Sequence, residues 1–316
     1  MVIAPRRSGA GMRALARGFA LMGHDGGRFR PSSDQAMGIV LVIAAILGFT
    51  LMDATAKYLT QTYHPMQVIW WRFTGNLLIL LAIFRGGVLP AMRSKHPGLQ
   101  FCRALTQMGS VGLFFTAIQY IGLAEATAIM DLNPVLITLG AALFLGEKVG
   151  PRRIAGIVAA LVGAMIIIRP GAGVFQPAAL LPLVGAFTFA AGALLTRMTR
   201  TDTPTTSVMW SAVIGTILFS AILPFVWEPI ALADFWAFGL LAIFGTASQY
   251  LLVRAFSTAE AGALAPFGYT GLVWAGLWGW IFFGQIPDRW TVTGATIIVV
   301  AGLYVWSREA RAARKG

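Results

Sequence analysis

The chain has 316 residues, of which 57% are hydrophobic and only 11% charged. Its mean hydropathy is +0.75. A water-soluble domain carries roughly 25% charged residues, so a soluble globular protein is excluded. The net charge is +12. The single cysteine, Cys102, excludes an internal disulfide and a cysteine-rich metal site.

In chain order, residues 1–36 are rich in Arg, Gly and Ser and read as a disordered basic tail. Ten apolar runs follow, at about 37–59, 65–84, 99–121, 123–145, 152–168, 177–196, 206–226, 234–255, 259–283 and 290–307. Each approaches the roughly 20 residues that a helix needs to cross a hydrocarbon core of about 30 Å. None shows the alternation of a transmembrane barrel strand. Residues 308–316 close the chain as a second basic tail. The expectation is an all-α integral membrane protein with ten transmembrane helices.

Basic residues mark alternate connections. They precede the first run (Arg6, Arg7, Arg13, Arg17, Arg28, Arg30) and lie between the second and third (Arg85, Arg93, Lys95). More fall between the fourth and fifth (Lys148, Arg152, Arg153), between the sixth and seventh (Arg197, Arg200), and after the tenth (Arg308, Arg311, Arg314, Lys315). The stretch from Thr60 to His64 holds no Lys or Arg, and Trp227 to Asp234 holds only Glu228 and Asp234 as charges. This alternation places both termini in the cytoplasm of a bacterial cytoplasmic (inner) membrane. The expected partners are therefore the lipid bilayer and a small solute, with no nucleic acid.

The chain also repeats itself. Leu123-Ala124-Glu125-Ala126-Thr127-Ala128 opens a run that closes on Phe144-Leu145-Gly146-Glu147-Lys148. Thr258-Ala259-Glu260-Ala261-Gly262-Ala263 opens another that closes on Phe282-Phe283-Gly284-Gln285. Fixed-period similarity of this kind signals a duplicated folding unit. The units span 37–168 and 177–307, and five spans in each would set the second upside down. Inverted repeats build many secondary transporters, with the substrate near the midplane.

The pattern resembles the drug/metabolite transporter superfamily, specifically its ten-span EamA-type members, and within them the S-adenosylmethionine uptake-type branch. The residues that carry the likeness are Arg72-Phe73, Ala124-Glu125-Ala126, Asn133-Pro134, Leu145-Gly146-Glu147-Lys148, Gly156, Gly163 and Arg169-Pro170-Gly171. In the second half they are Ala265-Pro266-Phe267 with Tyr269, Trp274-Ala275 and Phe283-Gly284. Family members commonly carry an acidic residue where this chain has Gly268 and Gln285. The resemblance implies transport rather than catalysis, and no cofactor.

Ionisable groups inside a bilayer are functional candidates by default. Asp53, Arg72 and Asp131 would lie at one depth, where they could pair, with Lys57 competing for Asp53 one helical turn away. Asp131 is the first choice for a substrate contact, ahead of Asp53. Pro134 and Pro266 would break spans four and nine in the two halves, and paired breaks point to a binding site. Asn133, Gln107 and Gln249 would supply hydrogen bonds, and Tyr269 with Trp274 aromatic surface. Trp70, Trp71, Trp227, Trp236, Trp278 and Trp280 read as an interfacial belt. Gly109, Gly112, Gly156, Gly163, Gly185 and Gly192 read as packing surfaces. Glu125 and Glu260 read as carboxylates at helix N-termini.

The three histidines (His24, His64, His96) fall in tail or connections, so no catalytic constellation and no metal site is expected within the spans. No phosphate-binding loop is present, which disfavours direct use of ATP. The resulting expectation is a secondary carrier of a small polar or amphipathic metabolite such as an amino acid or an S-adenosylmethionine-like solute, coupled to a proton or counter-solute. An intramembrane enzyme and a non-transporting sensor or scaffold are the alternatives.

Overall fold

Proline opens four of the helices, where its missing N–H is one of the donors left unpaired anyway. In a computed structural model, which describes residues 33–84, 88–145, 150–169, 177–199, 201–259 and 264–313, the chain is helical nearly throughout. The helices are α1 Ser33–Thr60, α2 Pro65–Phe84, α3 Pro97–Tyr120, α4 Leu123–Met130, α5 Asn133–Leu145 and α6 Pro151–Ile168. The second half supplies α7 Leu180–Met198, α8 Pro204–Val226, α9 Phe235–Thr258, α10 Thr270–Phe283 and α11 Arg289–Ala313. Short turns of 3-10 helix cover Pro177–Ala179, Leu232–Asp234 and Ala265–Tyr269. Among the described residues, eight helical stretches are long and apolar enough to cross a membrane, and Ile154–Ile168 is a shorter apolar helix.

Two spans are interrupted near the prolines. The run 123–145 is two helices, not one with a kink. The chain turns at Asp131 and Leu132, and Pro134 lies in the first turn of α5, where proline is tolerated. In the second half, Pro266 lies in the 3-10 turn Ala265–Tyr269, so the regular helix begins only at Thr270. Residues 260–263, including Glu260, lie outside the described residues, as do 1–32, Glu147, Lys148, Pro170 and Gly171. α11 runs on to Ala313, past the expected boundary at 307.

Helices pair largely between the halves. α1 packs on α9, α3 on α7, α2 on α8, α6 on α11 and α4 on α10, while α9 also meets α2 and α8 meets α3. The core between them is aliphatic and aromatic, with Leu59, Ile69, Phe115, Ile118, Ile129 and Phe238 fully buried.

Lys57 does not compete for Asp53. It is buried, and its ammonium donates to the carbonyls of Ile118 and, at 2.7 Å, Ile121. These belong to the end of α3, where the last carbonyls have no partner within the helix. A cation there also complements the negative end of the helix dipole.

Some expected packing glycines serve as such. A side chain at Gly163 would meet the carbonyl of Gly294 at 2.8 Å, and one at Gly156 would meet Val305 at 2.6 Å. α6 therefore lies flush against α11. A side chain at Gly192 would meet Thr106 at 2.8 Å. Gly112 has nothing within 4 Å of where a Cβ would stand, so it is not such a contact. We expect Gly163→Leu to force α6 from α11 and lower stability by about 1–3 kcal/mol, the usual range for overpacking, as read from thermal unfolding of the purified protein. Gly112→Ala should leave the melting temperature nearly unchanged.

Candidate functional site

The helices of both halves enclose a cavity of about 1380 Å³. Asp53 reaches it from α1, Arg72 and Asn76 from α2, Gln107 and Ser110 from α3, and Gln249 from α9. Phe49, Phe73, Phe114 and Phe189 add aromatic wall. The cavity extends to the connection between α7 and α8, where Thr199, Thr201, Asp202 and Thr203 line its mouth.

Among the described residues, no ion pair or hydrogen bond holds Asp53 or Arg72. Their charges attract each other across the cavity without contact. The Arg72 guanidinium lies over the rings of Phe73 and Phe115, 5.7 and 5.4 Å from their centroids. A staple between α1 and α2 is thus absent, and two opposite charges stand free on one cavity.

A second cation on the cavity, Arg103, is committed. It is 92% buried, and it donates to Gln100 Oε1 at 2.9 Å, Ser211 Oγ at 2.8 Å and the Ser207 carbonyl. Gln107 Oε1 accepts from Ser211 Oγ at 2.7 Å. Sequence reasoning missed Arg103, although a basic residue six positions inside an apolar helix was signal enough. It binds α3 to α8 and so frames the mouth.

Asp202 closes that frame. It accepts from Ser94 Oγ, from the Lys95 backbone N–H at 2.8 Å and from Gln100 Nε2 at 2.9 Å. Burial works to raise its pKa, yet these donors outweigh burial and hold the carboxyl below its usual value.

The opposite end is shut. Tyr58 and Tyr63 donate to Asp234 at 3.0 and 2.7 Å. The Gln67 side chain exchanges two 2.8 Å bonds with the backbone of Glu228. Trp70 Nε1 donates to Ser220 Oγ at 2.7 Å and its ring meets those of Trp71 and Trp227 edge-on. Trp70 and Trp71 are part of this closure more than of a lipid belt, whereas Trp227, Trp236 and Trp280 are exposed. A smaller cavity of about 350 Å³ lies by Glu125 and Gln285, beside an Arg169–Asp288 ion pair of 2.8 Å.

Asp131, Asn133, Tyr269 and Trp274 do not line the main cavity, although the neighbouring Thr127 and Met130 do. Asp131 Oδ2, Asn133 Oδ1, Tyr269 Oη and Trp274 Nε1 are buried without hydrogen-bond partners. The Trp274 ring stacks on Trp278, whose Nε1 donates to Thr50 Oγ1 at 3.1 Å. Trp278 is therefore an internal contact and not an interfacial anchor. Glu125 lies in the first turn of α4, as expected.

A bundle of apolar helices around a cavity whose largely apolar wall carries Asp53, Arg72, Gln107 and Gln249 fits a multi-pass membrane transporter. The chain belongs to the EamA-like transporter family, whose model matches residues 36–169 and again 176–307. It is 30% identical over 287 residues to a riboflavin transporter of Rhizobium johnstonii, covering 90% of this chain and 95% of the relative. It is 30% identical over 275 residues to the pseudopaline exporter CntI of Pseudomonas aeruginosa, covering 84% and 94%. An S-adenosylmethionine uptake transporter of Rickettsia bellii is 25% identical over 289 residues, covering 89% and 97%. One solved crystal structure shares the fold with a TM-score of 0.58 at 19% identity, over 85% of this chain and 96% of its own.

Asp202 offers a test of the mouth. A carboxyl with a depressed folded pKa contributes stability above its unfolded value of about 3.9, and this is lost as pH falls through the folded value. Asp202→Asn should cost about 1–2 kcal/mol at neutral pH. The gap to wild type in melting temperature should hold down to about pH 4 and close in stronger acid.

Proposed function

We propose that the protein is a secondary transporter of the bacterial inner membrane which moves a small polar or amphipathic metabolite by alternating access. Two five-helix halves of opposite orientation provide the two mouths. The carrying observation is the pair of opposite charges, Asp53 and Arg72, on one cavity whose lining reaches the connection between α7 and α8. A free carboxylate and guanidinium suit a solute bearing both an amine and a carboxylate, such as an amino acid or an S-adenosylmethionine-like compound. Gln107 and Gln249 would read its polar groups and the phenylalanine walls its apolar body.

The helix pairing supports the inverted repeat. Exchanging the halves carries α1 on α9 into α7 on α3, and α2 on α9 into α8 on α3. It carries α2 on α8 and α6 on α11 into themselves. A twofold axis between the halves requires this closure. The helix breaks at Asp131 and Pro266 also stand at corresponding places, 135 residues apart as are Glu125 and Glu260. With the basic connections inside, the open mouth at 199–207 faces the cytoplasm and the latched end faces outward. Two arrangements of similar energy then let a solute shift the balance between mouths.

The relatives' named solutes are the first candidates to assay. Purified protein in liposomes should take up labelled S-adenosylmethionine, riboflavin or an amino acid saturably. A charge-assisted contact contributes about 1.5–3 kcal/mol, so Asp53→Asn and Arg72→Gln should each reduce kcat/KM about tenfold or more while still inserting. Unchanged kinetics in both variants would remove the pair from the path, and a chemically altered solute without net flux would contradict transport.

A further inference from the structure

Three buried, unpartnered oxygens lie at the two helix breaks. Asp131 occupies the turn between α4 and α5, and its backbone N–H is satisfied by the Thr127 carbonyl at 2.9 Å. Its Oδ2 is buried and receives no bond. Asn133 Oδ1, two residues on, is in the same condition. Tyr269 ends the 3-10 turn of the second half, with its hydroxyl against Gly302 of α11 and no partner. The Asp131 charge acts on Tyr269, so the two are electrostatic neighbours. Pro134 has no N–H to return to the Met130 carbonyl, which leaves a further oxygen acceptor at the break.

The chemistry of this cluster selects its occupant. A carboxylate oxygen, an amide oxygen and a phenol oxygen are acceptors, and a buried acceptor without a donor is costly. The phenol can donate as well as accept, whereas the carboxylate and amide oxygens only accept, and a cation satisfies all three together. Among the described residues no Lys or Arg forms an ion pair with Asp131, and its charge acts on Tyr269. A single carboxylate balances a single positive charge. Divalent ions usually take more carboxylates and waters, and no group of three His, Cys, Asp or Glu suited to a metal exists among the described residues.

We propose that Asp131, Asn133 and Tyr269 form a site for a small monovalent cation, the proton or sodium, one residue behind the wall of the solute cavity. Both halves contribute to it, and both contribute from a break in a helix. Thr127 and Met130, on the same turn as Asp131, face the cavity. Occupancy therefore changes the charge directly beside the solute, on segments where regular helix is interrupted. Coupling of that ion to flux rests on the transport reading; binding of the ion does not.

Infrared difference spectroscopy of the purified full chain in lipid tests binding without any solute. The probe is the ion alone, applied as a change from acid to alkaline buffer, or as added sodium chloride at fixed pH. For a proton, the carbonyl stretch of a protonated carboxyl should disappear on alkalinisation. For sodium, it should disappear on salt addition and not with potassium. In either case the change should be absent in Asp131→Asn and kept in Asp53→Asn. Tyr269→Phe retains the ring and should shift the pH or salt concentration at which the band changes, so the site remains testable if Asp131→Asn fails to fold. A response to neither ion, a band lost in Asp53→Asn instead, or an unshifted Tyr269→Phe would overturn the site.

Discussion

A hydrocarbon interior offers no water, so every buried N–H, C=O and charge must find a partner inside the protein. Most of this molecule obeys that constraint. Proline begins four helices where a donor would be unpaired, Lys57 takes up carbonyls at the end of α3, and Arg103 spends its donors on α3 and α8. Among the described residues the exceptions include the charges of Asp53 and Arg72 on the cavity and the buried oxygens of Asp131, Asn133 and Tyr269 at the helix breaks, with Trp71, Thr74, Thr216, Trp274 and Gln285 as further cases. The proposed functions sit where satisfaction lapses, because an unpaired group is one that a solute or ion can pair.

The two ends of the cavity differ in kind. The mouth near residues 199–207 is framed by a bonded network that keeps it open, through Arg103, Gln100 and Asp202. The far end is held by a handful of side-chain bonds, among them Tyr63 to Asp234 and Gln67 to Glu228. Each such bond is worth only about 0.5–1.5 kcal/mol net. Breaking several costs little beside the burial of whole helices, and regular helix is interrupted at 131–132 and 265–269.

How far the sequence could be read follows from the range of the forces involved. Apolar length, the duplicated Ala-Glu-Ala openings and the basic connections are local signals, and they pointed to an all-helical membrane protein and to the family. Proline at 134 and 266 correctly marked irregular backbone. The form of the break was not legible, because proline is compatible with both a kink and a helix start. Lys57 was misjudged since its position one turn from Asp53 suggested a local pair. The carbonyls it meets are some 60 residues away and invisible to spacing. Asp131, the first choice for a cavity contact, lies behind the wall for a similar reason: depth along a helix is readable, whereas the direction a side chain takes at a break is not. Gly112 and Gly163 look alike in sequence, and only the neighbouring helix makes one of them a close contact.

The central claim is that the halves run in opposite senses through the membrane around one cavity. Gln61, after the first helix of the first half, and Thr201, after the first helix of the second, are both exposed and decide it directly. In a Cys102→Ser background, single cysteines at these two positions would be labelled with a membrane-impermeant maleimide on intact and permeabilised cells. The account predicts that the position 61 cysteine reacts from outside and the position 201 cysteine only after permeabilisation. Reaction of both from the same face would contradict it.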